Sequence, residues 1–173
     1  MNTFKLKFGD VRSKQIKTPN DFISHMEDTG MVVGKALREI LVMRMMDLGI
    51  NGAGSSIRKP LDFTAQKISV GVSVEGRKFW RFAPLNTTYQ EIRQRLIIGH
   101  TIRGGLFTED LDDFLDGLSW GLACSLVIHV KNLPPAADAW AMIFKNLGIA
   151  LREVFEINPY RKGVAPGVKA NLS

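Results

Sequence analysis

Between Ile68 and Val74 the chain alternates strictly: Ile68, Val70, Val72 and Val74 are separated by Ser69, Gly71 and Ser73. A period of two places the four aliphatic side chains on one face of a strand and the small polar ones on the other. A one-residue slip would expose the whole aliphatic set, so this segment fixes a sheet with one buried face. Cys124 to Val130 (CSLVIHV) reads as a second strand, closed by Asn132-Leu133-Pro134-Pro135. The spacing predicts that Glu75-Gly76-Arg77 turns the first strand into a hairpin partner at Phe79-Trp80-Arg81-Phe82. Phe4, Leu6 and Phe8 alternate within Thr3 to Phe8, a further expected strand.

Helical spacing accounts for much of the rest. From Gly30 to Met46, Val33, Ala36, Leu37, Ile40 and Leu41 recur as one stripe. A second helix is expected to begin at Thr108, with Leu111, Phe114, Leu115 and Leu118 facing inward. A third runs from about Ala136 to Phe155, striped by Trp140, Ile143, Phe144, Leu147 and Leu151. Strands and helices together predict an α+β fold with helices on one face of a mixed sheet. The shared segment G-x-ALRE in residues 27–41 and 138–154 suggests a duplicated unit of βα half-domains. The expected division of this single domain is a shortened first half-repeat (1–50), a second half-repeat (51–156) and a tail (157–173).

Composition narrows the function classes. The 173 residues include 45% hydrophobic and 23% charged side chains, enough for a core without a disulfide or metal staple. One cysteine excludes an intrachain disulfide and points to a reducing, cytoplasmic setting. No apolar stretch approaches the ~20 residues of a membrane helix, and the N-terminal residues lack a signal peptide's apolar region. The net charge of +6 suits an anionic partner. Its scattered lysines and arginines form no aromatic-interleaved stripe, so nucleic acid is not expected, nor a membrane.

FISHM, then EDTG followed by G-x-AL, resemble the imidazoleglycerol-phosphate dehydratase family. The likeness continues in order through PLDF (60–63), GVSVEGRKFW (71–80), LVIHV, AMIFKNLGIALREV and APGVKANLS. These look like that family's P-M-D-E, its S-G-R strand turn, its second half and its P-S-S-K-G-V-L tail. The resemblance implies duplicated βα halves, a homo-oligomer, manganese held by paired H-H-x-x-E motifs, and dehydration of a phosphorylated imidazole alcohol in histidine biosynthesis.

Residue by residue, the resemblance carries over His25 and Glu27 as metal ligands. It carries Arg77 and Lys169 as ligands of a phosphate. Asp113 stands where the family has a metal-binding histidine on a helix, and Asp138 lies where its second H-H-x-x-E would be; both offer oxygen donors. Both double-histidine motifs are missing, and His25-Met26 runs directly into Glu27, as if a segment between them were lost. Three histidines in all, His25, His100 and His129, are fewer than the family's set. Two readings stay open: a dehydratase with an eroded metal site, or a non-catalytic relative that oligomerises or binds an anionic ligand.

Plainer roles stand beside these. Ser24 and Glu27 have the spacing of a capping box at a helix start. Glu109, Asp110, Asp112, Asp113 and Asp116 read as a solvated helix N-terminus. His129 falls on the face of its strand opposite Leu126, Ile128 and Val130, as a satisfied or exposed histidine. Gly49 to Ser56 lacks a G-K-[ST] ending and reads as a flexible connector. Cys124 is expected to be buried and inert. Leu41-Val42-Met43 with Met45-Met46 is expected in the core or at an interface.

Overall fold

The computed structural model describes residues 19–57 and 67–164. The expected strand at Thr3 to Phe8 lies outside these residues, as does Lys169. The described elements run in the order α1 (Pro19–Asp47), β1 (Ala53–Ser55), β2 (Ile68–Ser73), β3 (Phe79–Pro84), α2 (Tyr89–Ile92), α3 (Thr108–Leu122), β4 (Ser125–Val130) and α4 (Ala136–Val154). Arg93–Ile97 continues α2 as a π-turn, and Pro159–Arg161 forms a 3₁₀ turn.

Among the described residues the sheet has four strands and is mixed, in the order β1-β2-β4-β3. β2 pairs antiparallel with β4, Val70 opposite Ile128, and β3 pairs parallel with β4, Phe82 opposite Ile128. The hairpin expected between β2 and β3 is therefore not formed, because β4 lies between them. Glu75-Gly76-Arg77 does turn the chain, with Gly76 at φ 81°. The turn, however, hands it to β4: Gly76 N donates to the Ala123 carbonyl at 3.0 Å and Phe79 N to the Cys124 carbonyl at 3.1 Å. A parallel β3–β4 pair needs a long crossover, which α2 and α3 supply.

One sheet face carries Ile68, Val70, Val72, Phe82, Leu126, Ile128 and Val130, all buried, and α4 packs across it. The α+β fold with helices on one face of a mixed sheet is as the patterning predicted. The α4 stripe sits where expected, with Trp140, Ile143 and Leu147 in the core. Two buried polar groups aim α4: Trp140 Nε1 donates to the Leu96 carbonyl at 2.8 Å and Asn146 Nδ2 to the Ile68 carbonyl at 2.7 Å. Each replaces a hydrogen bond to water that burial removes, and leaving either unmade costs about 1–3 kcal/mol. Cys124 is buried as expected, and burial pushes its thiol up to about 12.

α1 departs from its predicted stripe. Val33 and Ile40 are exposed, and the buried line is instead Gly30, Gly34, Leu41 and Met45, with Leu37 half-buried against the core. The cause is a close helix crossing. A Cβ built on Gly30 would lie 2.1 Å from the Phe114 carbonyl oxygen, and one on Gly34 2.6 Å from that of Leu118. Reciprocally, a Cβ on Gly117 would lie 2.0 Å from the Glu27 oxygen and one on Gly121 2.1 Å from that of Met31. Four glycines let α1 and α3 touch backbone to backbone, and that contact, rather than aliphatic packing, sets which side of α1 is inside. Of the methionine run, Met45 joins the core, while Met43 and Met46 are exposed.

Gly49 to Ser56 is not a flexible connector. Asn51 N donates to the Glu156 carbonyl, Gly52 N to that of Val154, and Asn51 Nδ2 to that of Glu153, at 3.0, 3.0 and 3.2 Å. The segment thus satisfies carbonyls that the end of α4 leaves open, and then enters the sheet as β1.

Candidate functional site

The glycine crossing decides where the candidate residues meet. α1 begins at Pro19, so the expected helix start at residues 24–27 falls inside the helix, and His25 and Glu27 lie within it. Glu27 sits directly over Gly117, which brings its carboxylate near Asp113, one turn earlier on α3. Burial and then the Glu27 charge hold the Asp113 carboxyl above the usual carboxylate range, with Asp110, Asp116 and Glu109 adding to the effect.

The start of α3 is not the solvated carboxylate cluster that the sequence suggests. Asp110 is 3% exposed, and its Oδ2 is buried without a hydrogen-bond partner. Burial raises its pKa, opposed by a hydrogen bond from the Phe107 backbone. Asp112 is pushed up to about 6, mainly by burial and then by the Asp113 charge, while a hydrogen bond from the Trp80 side chain works the other way. Three neighbouring carboxyls with raised pKa values hold protons better than free aspartate does. Such groups suit proton transfer or cation binding.

His25 does not join them. It is exposed, and residues two positions apart on an α-helix lie about 200° apart around its axis, so His25 and Glu27 point to opposite sides. Asp138, in the first turn of α4, is exposed as well. Among the described residues no three His, Cys, Asp or Glu side chains are placed to hold a metal ion. Glu27 and Asp113 lie near enough for their charges to interact but offer oxygen donors alone, which does not fit the mixed nitrogen and oxygen donor set that the resemblance implies for manganese. His129 half-emerges from the sheet, but its Nδ1 is buried without a partner, so it is neither satisfied nor freely solvated. His100 Nε2 lies 2.8 Å from the Gln94 carbonyl, closing a loop.

Arg77 projects from the β2–β3 turn with its side chain 65% exposed, 3.6 Å from the Glu75 carboxylate. So exposed a pair contributes less than about 1 kcal/mol, leaving the guanidinium available to an anion. Lys78 beside it is committed: Nζ lies 2.5 Å from Asp116 Oδ2 and 5.2 Å from the centre of the Trp120 ring. The glycine crossing that joins Glu27 to Asp113 left no signal in the hydrophobic pattern. The spacing Gly30-x₃-Gly34 against Gly117-x₃-Gly121 was the signal that could have found it.

No protein-family model matches the chain. The imidazoleglycerol-phosphate dehydratase of Streptococcus sanguinis is 32% identical over 142 residues, covering 80% of this chain and 62% of that protein. That of Streptococcus mutans is 31% identical over 142 residues with the same coverage. The chain therefore spans less than two thirds of the length of these curated relatives. Among solved structures, the imidazoleglycerol-phosphate dehydratase of Staphylococcus aureus superposes with a TM-score of 0.57 at 19% identity, over 82% of this chain and 72% of that one. The IGPD of Pyrococcus furiosus does so with a TM-score of 0.53 at 21% identity, over 79% and 66%. The structural likeness establishes the shared fold.

Proposed function

Because the chain belongs to the imidazoleglycerol-phosphate dehydratase family, we propose that it binds that family's phosphorylated imidazole ligand without performing the metal-dependent dehydration on its own donors. The observation that carries this reading is the sparse donor set among the described residues: Glu27 and Asp113 lie within reach of each other's charge across the α1–α3 crossing, while His25 is exposed on another side of α1. Dehydration of an alcohol beside an imidazole needs a proton taken from one carbon and hydroxide lost from the next. A manganese ion would supply Lewis acidity to the ring when bound, and an oxygen pair alone holds such an ion poorly.

Phosphate recognition is assigned to Arg77, whose exposed guanidinium offers a fork of N–H donors, with Lys169 as a second cation. The same reading takes the protein as a cytoplasmic homo-oligomer. The exposed Val32 and Met43 on α1 support the oligomeric part, being apolar groups at 66% and 58% exposure. No helix among the described residues is long and apolar enough to cross a membrane.

The second reading, an active dehydratase, is favoured by one observation: the raised pKa of Asp113 beside Glu27 resembles a poised acid–base pair. Calorimetric titration with imidazoleglycerol phosphate, a turnover assay in added manganese and metal analysis separate the two. Saturable binding, weakened roughly 10-fold by Arg77→Gln, with no turnover and no retained manganese, is expected. Turnover that scales with bound manganese and is lost in Glu27→Gln would overturn the binding-only reading in favour of the enzyme.

A further inference from the structure

Far from the acidic crossing, a cleft of about 610 Å³ opens at the shared ends of α1 and α4. Glu27 and Arg44 are separated along α1 by roughly 26 Å of helix, so this cleft is a different place from the one described above. Its volume falls within the range of small-molecule sites. It is walled by Arg44, Ile57, Arg152, Phe155, Glu156 and Ile157. Glu153 also lines it, but its carboxylate is committed, accepting a hydrogen bond from Ser55 N at 2.7 Å.

The floor is built and held. The Glu153, Val154 and Glu156 carbonyls are satisfied by Asn51 and Gly52, and Arg161 Nη1 donates to the Asn51 carbonyl at 2.5 Å. Arg44 Nη1 donates to the Phe155 carbonyl at 3.5 Å, which orients that side chain while leaving most of its N–H groups unused. Among the described residues the ion pairs are Arg77–Glu75 and Lys78–Asp116. Arg44, Arg152 and Glu156 thus share one cleft without pairing with each other.

Charge decides what fits. Two arginines face two glutamates and the negative end of the α4 dipole, so the lining has no surplus of positive charge. A simple phosphate would gain two guanidiniums but meet an unpaired carboxylate. A ligand carrying both signs meets each with its opposite. Ile157, 54% exposed, with Ile57 and Phe155, adds an apolar wall that water covers poorly.

We propose that this cleft binds a zwitterionic α-amino acid with an apolar side chain. Its carboxylate lies on Arg152 and Arg44, its ammonium on Glu156, and its side chain against Ile57, Phe155 and Ile157. The site uses none of Glu27, Asp113 or Arg77 and stands apart from the phosphorylated-ligand reading.

The test is calorimetric titration of the full chain with phenylalanine. Phenylpropionate, phenethylamine and glycine are the probes that lack the ammonium, the carboxylate and the apolar side chain in turn. Phenylalanine should saturate the protein with a dissociation constant in the millimolar range or below, and each truncated probe should bind roughly 10-fold more weakly. Arg152→Gln and Glu156→Gln should each weaken phenylalanine by a similar factor with unchanged melting curves, and Arg77→Gln should leave it as it was. The absence of saturable heat would overturn the proposal. So would phenylpropionate binding as tightly as phenylalanine, or either cleft variant binding like the parent.

Discussion

Replacing Gly117 by alanine tests the helix crossing on which the candidate site depends. Alanine is the better helix former by about 1 kcal/mol, so on propensity alone Gly117→Ala should stabilise α3. The structure reverses that sign. The added methyl would sit 2.0 Å from the Glu27 carbonyl oxygen, 2.8 Å from its carbon and 3.0 Å from Met31 N, all backbone. Ordinary contact begins near 3.5 Å, so α1 and α3 must separate by roughly 1.5 Å, and no rotamer change can relieve them. Overpacking typically costs 1–3 kcal/mol, and a clash against backbone belongs at the top of that range, about 3 kcal/mol before the propensity gain and about 2 net.

Gly148 on α4 is the internal control. It is exposed, and a Cβ there meets nothing within 4 Å, so Gly148→Ala should gain about 1 kcal/mol. The two variants make the same chemical change and should differ by about 3 kcal/mol in urea unfolding followed by far-ultraviolet circular dichroism. If Gly117→Ala matches or exceeds the parent in stability, the close crossing is wrong, and with it the meeting of Glu27 and Asp113.

Asp112 gives a pH signature. Its carboxyl titrates at about 6 when folded, against an ordinary value of 3.8, so the folded state binds this proton more tightly than the unfolded one. The destabilisation from burying its charge is full above pH about 6 and vanishes below about 4. Asp112→Asn, which can still accept the Trp80 hydrogen bond, should therefore stabilise the protein at pH 8 by about 2 kcal/mol, the advantage disappearing as pH falls to 4. Urea midpoints that differ equally at both pH values would contradict it. Cys124, with its thiol pushed up to about 12, should resist alkylation at pH 8 in the folded protein and react at once in urea. Rapid labelling of native protein would show the strand end to be open.

Strict alternation in β2 and the broad apolar stripes of α3 and α4 were readable because each signal is local and its period leaves one solution. Strand order was not. Glu75-Gly76-Arg77 has the chemistry of a hairpin turn, but β4 out-competes β3 for the edge of β2, matching it over six residues from Ile68–Val130 to Ser73–Ser125. That partner lies half the sheet away in sequence, beyond any local pattern. On α1 the apolar stripe misled, because the buried side is selected by what a glycine lacks. The same holds for the candidate site: Glu27 and Asp113 lie 86 residues apart in sequence, and the helix crossing brings them within reach of each other's charge. The echo of G-x-ALRE in two helices carries the same lesson, since Gly34 is pressed against backbone and Gly148 faces open space.

The central position of β4 also governs the order in which this protein can acquire its fold. Until residues 125–130 have left the ribosome, β2 has, among the described strands, the three-residue β1 beside it, and β3 has no described neighbour in the sheet. Two strands with unpaired backbone edges and exposed valines, phenylalanine and tryptophan must wait through the synthesis of α2 and α3. Such intermediates recruit other chains. A nascent chain stalled or truncated between Leu122 and Ser125 should therefore aggregate, and one extended past Val154, so that β4 joins the strands and α4 covers the sheet's apolar face, should not. The last of the described strands acts as the clasp that turns two sticky ribbons into one sheet.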